Sequence, residues 1–265
     1  MGKIISFANQ KGGVGKTTTC INLAAYLAAM GKKILVVDMD PQGNATSGLG
    51  VEKTKETLTL FDAIDGSCGI DEIIKKTPID KLDIIPATVD LAGAEIELVR
   101  MDNREKIIKN LLNPIKRDYD YILIDCPPSL GLLTVNALTA SNSVAIPIQC
   151  EFFALEGLSQ LMNTIKLVKK HLNAEIDIEG VILTMKDNRS NLIQQVSQEI
   201  QRFFGPKVFN THIPRSIRLA EAPSHGQPII TYEPKSKGGI AYYELAVEFL
   251  NRNKDSYKNI NKFFK

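Results

Sequence analysis

The sequence predicts an α/β chain in which helices cover both faces of a doubly wound, mostly parallel sheet. Three observations carry that expectation. Short apolar runs rich in β-branched residues alternate with amphipathic helical stretches along the 265 residues. The runs are apolar throughout rather than at every second position, as in strands buried on both faces. A glycine-rich turn, residues 9–19, separates the first run from the first helix.

Taken in order, Ile4-Ile5-Ser6-Phe7-Ala8 reads as the first strand, with a helix over 17–30 that stops at Gly31. Residues 33–38 form the second strand, and Met39-Asp40-Pro41-Gln42-Gly43-Asn44 turns at its C-terminal end, the edge where such sheets bind ligands. Residues 51–80 have weaker periodicity and read as a surface excursion, with helical pieces over 58–64 and 70–76. A strand at 81–86 and helices at 90–99 and 103–116 come next. Residues 119–125 form a strand ending in a carboxylate, before the Pro127-Pro128-Ser129 turn. Strands at 143–148 and 180–184 and helices at 154–171, 190–203 and 239–252 complete the pattern. With no internal repeat or compositional break, one domain over 1–252 and a short basic tail, 253–265, are expected.

A hydrophobic content of 44% is ordinary for a chain with a sizeable core, and a net charge of +2 excludes a histone-like polycation or an acidic chaperone. Residues 1–150 carry 16 Lys/Arg against 18 Asp/Glu, and residues 151–265 carry 16 against 12. That bias permits a nucleic-acid surface in the C-terminal half without demanding one. Cys20, Cys68, Cys126 and Cys150 form no C-x-x-C pair and read as reduced cysteines of a cytosolic protein. No apolar run approaches the roughly 20 residues needed to span a bilayer.

The turn Asn9-Gln10-Lys11-Gly12-Gly13-Val14-Gly15-Lys16-Thr17-Thr18-Thr19 carries the chemistry. Strand, glycine-rich turn and helix in that order make a phosphate-binding loop, in which backbone N–H groups and the helix N-terminus attract anions. Lys16 reaches the β and γ phosphates, and the Thr17 hydroxyl ligates Mg²⁺. Gln10 stands where the standard G-x-x-x-x-G-K-[ST] pattern has its first glycine, and a second lysine, Lys11, precedes Gly12. Phosphoryl transfer also needs charge neutralised and a water held in line. Asp125 ends an apolar strand and is the candidate to hold Mg²⁺ through water. Asp40, in the turn after the second strand, is the candidate to orient the attacking water, with Asp38 supporting the metal's outer shell.

Lys11-Gly12-Gly13-Val14-Gly15-Lys16-Thr17-Thr18 resembles the deviant Walker A motif of the ParA/MinD family of P-loop ATPases. Asp38-Met39-Asp40-Pro41-Gln42-Gly43-Asn44-Ala45-Thr46 resembles the switch I segment of ParA proteins, and Asp125-Cys126-Pro127-Pro128-Ser129-Leu130-Gly131 their Walker B and switch II. Gln149-Cys150-Glu151-Phe152-Phe153-Ala154-Leu155-Glu156-Gly157 and Ala220-Glu221-Ala222-Pro223-Ser224-His225-Gly226 extend the likeness over residues 2–250, and it is specific to the short chromosomal ParA/Soj branch.

The resemblance implies the P-loop NTPase fold and an ATP-controlled switch: two subunits sandwich two ATP molecules, and Lys11 reaches the partner's phosphates. A cation supplied in trans makes hydrolysis conditional on assembly, as an arginine finger does. Slow basal turnover is expected, because no stimulating group is evident within one subunit; the resemblance also implies residence on the nucleoid, a ParB-type centromere-binding protein as stimulating partner, and adenine near Met185 and Pro214. Non-specific binding of double-stranded DNA by the ATP dimer is implied as well, with Arg189 and Arg218 as matched positions. Lys186, Lys207, Arg215, Lys235 and Lys237 are further candidates, because backbone binding strengthens with each phosphate neutralised.

Two other switches share the deviant loop. In a MinD-like membrane ATPase the tail would act as an interfacial helix, and Tyr257, Ile260, Phe263 and Phe264 stand at helical spacing among lysines. The Pro41-Gln42-Gly43-Asn44 segment favours ParA, and membrane attachment is not expected. An iron–sulfur carrier would need a cysteine on each of two loops, and no cysteine lies between Cys68 and Cys126 to pair with Cys126.

Overall fold

The computed structural model describes residues 2–151, 154–186 and 191–260. Its centre is β1 (Lys3–Phe7), paired in parallel with β5 (Tyr121–Asp125) on one side and β6 (Ser143–Gln149) on the other. Beyond β5 come β2 (Ile34–Asp38), β4 (Leu82–Ile85) and the two-residue β3 (Lys75–Lys76); beyond β6 comes β7 (Asp177–Thr184). All pairs are parallel except β3–β4. The chain leaves β1 towards β2 and later returns to lay β6 on its other side. A crevice therefore opens at the C-terminal end of β1.

Alternate side chains of the parallel strands feed two cores. Ile4, Leu35, Val37, Ile122 and Ile124 point into one, covered by α3 (Leu60–Asp65), α4 (Leu91–Arg100), α5 (Ile107–Leu112), α6 (Leu132–Ala140), α7 (Ala154–His171) and α8 (Asn191–Phe204). Ile5, Phe7, Ile34, Val36 and Leu123 point into the other, beneath α1 (Lys16–Ala29), α2 (Asn44–Gly48), α9 (Ile217–Glu221), α10 (Ile229–Tyr232) and α11 (Lys237–Arg252). The doubly wound sheet expected from the sequence is the observed one. No described helix is long and apolar enough to cross a membrane.

Local readings failed where short elements and breakers compete. Residues 51–80 are no mere surface excursion, because Leu60, Ala63, Ile64, Ile70 and Ile73 are buried in the first core. The expected helix over 70–76 is one tight turn, Ile70–Ile73, followed by β3 pairing against β4. The expected helix over 103–116 shrinks to α5. Asn103 takes a left-handed conformation (φ 52°) before it, and Pro114 lacks the N–H that would continue it. Asn44, read as the end of the turn after β2, instead begins α2.

The tail follows the same surface as far as residue 260. Ile260 is buried in the second core, and Lys258 N–H donates to Met30 O at 3.0 Å. Asp255 pairs with Lys32 at 3.2 Å and accepts from the Tyr121 hydroxyl at 2.5 Å. Phe263 and Phe264 lie outside the described residues.

Candidate functional site

Strand register sets the site. Phe7 pairs with Asp125, and Asp125 with Asp38, so two carboxylates stand on neighbouring strand ends at the sheet's C-terminal edge. Their roles diverge. Asp38 Oδ2 accepts from both the N–H and the hydroxyl of Thr46, each at 2.8 Å, and Oδ1 accepts from Asp40 N–H at 3.2 Å. The Thr46 hydroxyl accepts in turn from Ala87 N–H at 3.0 Å, tying the loop after β2 to the one after β4. Asp38 is therefore a buried organiser, and Asp40, also buried, is steadied where its Oδ1 accepts from Gln42 N–H at 3.0 Å.

Asp125 is fully buried, and neither carboxylate oxygen has a hydrogen-bond partner among the described residues. Burial first, then the charge of Asp38, pushes its carboxyl well above the ordinary range; the Thr17 hydroxyl and the Lys16 ammonium pull the other way. Thr17 is close enough to favour the charged form yet falls short of a hydrogen bond of full geometry. Burial also raises Asp38, against its bonds from Thr46 and Asp40. A buried acceptor left unmade costs about 1–3 kcal/mol, and more when charged. Orphaned carboxylate oxygens beside a threonine hydroxyl are the hard donors that Mg²⁺ takes, so Asp125 and Thr17 fit that ion, with Asp38 ordering the rim.

The loop between β1 and α1 stands over this edge. Gly15 caps α1 in the left-handed region (φ 86°) with no side-chain cap, leaving the first N–H groups of a 14-residue helix facing the crevice. Thr184, the last residue of β7, donates its hydroxyl to Val14 O at 2.8 Å and pins the loop from the far side. Gly12 and Gly13 are exposed, Val14 is buried, and Thr17 and Thr18 are half-buried.

The two lysines of the loop face different surroundings. Lys16 is buried and donates to Lys11 O at 3.1 Å. Burial lowers its pKa, opposed by Asp125, Cys126 and Asp40. Lys11 lies at the rim, its ammonium paired with the Glu151 carboxylate after β6 and its N–H bonded to Asn9 Oδ1 at 3.0 Å.

Met185 and Pro214 lie on neighbouring segments. Lys186 forms a parallel bridge with Pro214, and Ile213 N–H donates to Leu183 O at 2.8 Å. Met185 follows Thr184, the residue bonded to Val14 of the loop, and Pro214 is paired beside it through Lys186. Met185 adopts φ 49° to make the corner.

The basic candidates divide. Lys186 is joined to Pro214, Arg215 follows, and Arg218 on α9 is ion-paired with Glu233, two residues before Lys235 and four before Lys237. The bridge and the ion pair link the three segments that carry these five residues, termed the belt. Arg218 also pairs with Glu221 at 2.9 Å, so two carboxylates hold it. Lys207 is held by Asp177 at the opposite end of β7 and does not join the belt. Arg189 lies outside the described residues.

Sequence reasoning missed Thr46, Thr184 and Glu151 as contributors. Thr46 and Glu151 sit within stretches singled out for other residues, and nothing local marks the tertiary partner of either. Thr184 ends a strand, the one signal that it faces the ligand edge.

A family model described as "AAA domain" matches residues 2–178. The chain is 60% identical over 248 residues to the sporulation initiation inhibitor protein Soj of Bacillus subtilis, covering 94% of this chain and 98% of Soj. It is 53% identical to the chromosome partitioning protein ParA of Myxococcus xanthus, over 96% of this chain and 89% of ParA. Among solved structures, cobyrinic acid a,c-diamide synthase of Mycobacterium smegmatis with a bound ATP analogue and magnesium matches at TM-score 0.84 and 35% identity, covering 96% of each chain. The cell division ATPase MinD of Pyrococcus furiosus matches at 0.78 and 28%, covering 95% of this chain and all of MinD.

Proposed function

The chain belongs to the ParA/Soj family of P-loop partitioning ATPases, and from that premise we propose that it is an ATP-controlled dimerisation switch that carries chromosome or plasmid copies along DNA. It is an ATPase, and its ligands are ATP and Mg²⁺. In this reading Lys16 and the N–H groups at the start of α1 hold the phosphates. Asp40 orients the attacking water, and Met185 and Pro214 flank the adenine. Mg²⁺, held by Thr17 and, through water, Asp125, supplies positive charge at the phosphates. The belt from Lys186 to Lys237 meets the DNA backbone, and a ParB-type protein stimulates hydrolysis.

One observation carries the proposal. Lys16 is buried beneath the loop while Lys11, five residues earlier, has a side chain 35% exposed at the rim, where it pairs with the exposed carboxylate of Glu151. A lysine so placed is available to a second subunit rather than to its own phosphate cradle. Doubling the belt by dimerisation doubles the phosphates neutralised, and affinity depends steeply on that number.

Co-sedimentation with plasmid DNA in ATP against ADP, with anionic liposomes in a parallel arm, is the test. DNA pelleting in ATP alone is expected. Pelleting with liposomes and not DNA would replace this reading with the membrane switch.

A further inference from the structure

Ala220-Glu221-Ala222-Pro223-Ser224-His225-Gly226 has no task in the reading above, yet it touches both of its halves. On one side it packs against α2, the helix that begins four residues after Asp40. The contact is backbone on backbone. A Cβ at Gly226 would lie 3.1 Å from Gly50 Cα, and one at Gly50 would lie 2.9 Å from Gly226 O. Both glycines also hold left-handed conformations, φ 63° and 76°. Such contacts are stiff, because no side chain intervenes to absorb a shift.

On its other side the same turn holds Arg218. Glu221 Oε2 accepts from Arg218 at 2.9 Å and from the Tyr232 hydroxyl at 3.3 Å. The turn is internally braced: Ser224 donates to Glu221 O at 2.7 Å, Gly226 N–H to Pro223 O at 3.0 Å and Gln227 N–H to Ala222 O at 3.2 Å. His225 stacks on Tyr232 with ring centroids 5.0 Å apart, and the residue after Tyr232 is Glu233, the second carboxylate on Arg218. Glu221 and Glu233 are therefore fixed to one braced unit, and α2 bears directly on it.

Resting on the DNA-binding reading above, we propose that this turn couples the Asp40 loop to the belt. A shift of α2 moves the braced unit through the Gly50–Gly226 contact, changes the grip of Glu221 and Glu233 on Arg218, and so sets how much of that charge DNA receives. Arg218 then carries the nucleotide signal, and ATP acts on DNA affinity by this route in addition to dimerisation. A coupling of this kind is worth about fivefold or more in affinity.

DNA affinity in ATP and in ADP, over a range of salt, tests it on the full chain, Gly226→Ala and Glu233→Gln, with ATP binding and dimerisation measured alongside. Glu233→Gln removes one clamping charge without touching the backbone. It is expected to raise DNA affinity in ADP about fivefold and to steepen the ADP salt slope by about 0.9, one more phosphate contacted. Gly226→Ala is expected to dimerise on ATP while its ATP-to-ADP affinity ratio falls about fivefold. Should that variant not fold, Glu233→Gln decides alone. An unchanged ADP affinity and slope in Glu233→Gln, or an unchanged ratio in folded Gly226→Ala, overturns the coupling while ATP-dependent binding by the unaltered chain leaves the function standing. Loss of DNA binding by the unaltered chain itself would remove both.

Discussion

At the carboxyl edge of the sheet, Lys16, Asp38 and Asp125 are buried on strand ends and at the start of a 14-residue helix. Arg215, Arg218, Lys235 and Lys237 instead stand exposed in turns, on the five-residue α9 and at the first position of α11, and two carboxylates hold Arg218. The first group has charge where water is excluded, so each member acts strongly and cannot be exchanged for a neighbour. The second has charge in water, where exposed pairs are worth about 0–1 kcal/mol and salt screens them. Substitutions should therefore have large, single-site effects at the edge and small, additive, salt-dependent effects in the belt.

Lys16→Ala offers the steepest contrast. Deleting the one buried cation of the phosphate loop should cost about 100-fold or more in ATP affinity, read by titration with a fluorescent ATP analogue. Retention of wild-type affinity would show that the buried edge is not where phosphate binds.

Asp125→Asn separates activity from stability at that edge. Hydrolysis should fall about 100-fold or more. Stability measured without Mg²⁺ should rise, because an amide removes a charge the fold buries without a partner. The folded carboxyl lies above its unfolded value of about 3.9. The aspartate chain is therefore at its best below that value and loses stability as pH climbs towards the folded pKa. The asparagine chain has no such loss. Its melting temperature should exceed the parent's by about 2–4 °C at pH 8, and the gap should close towards pH 4. A gap independent of pH would mean the carboxylate is not strained.

Legibility followed the same division. The six parallel strands and the phosphate loop were readable because they rest on local apolar runs and on glycine at fixed spacing; the two-lysine β3 was not. Asp38 and Asp125 were readable because a carboxylate ending an apolar run stands out. What escaped depended on tertiary partners: Thr46 bonding Asp38, Glu151 pairing with Lys11, and Thr184 pinning Val14. The belt was half legible. Its lysines and arginines are visible in the sequence, but only the fold separates Lys207, held at the far end of β7, from the five on the linked segments.

In the belt, Arg218→Ala should lower DNA affinity about tenfold at 50 mM salt and flatten the salt slope by about 0.9. Filter binding across a salt series checks it. An equal loss at every salt concentration would point to a folding defect rather than a phosphate contact.

Lys237→Gln should have the smallest effect, and it has two readouts of opposite sign. Lys237 is the first residue of α11 and sits exposed at the positive end of a 16-residue helix. A cation there is unfavourable by about 0.3–1 kcal/mol, so glutamine should raise the melting temperature by about 1–3 °C. The same change removes one phosphate contact and should reduce the DNA salt slope by about 0.9. A lysine that merely decorates the surface would give the first effect without the second. One that supports the fold would give a lower melting temperature instead. Only a lysine kept at the wrong end of a helix for the sake of an anion gives both, which makes this small substitution the sharpest probe of whether the belt is a binding surface.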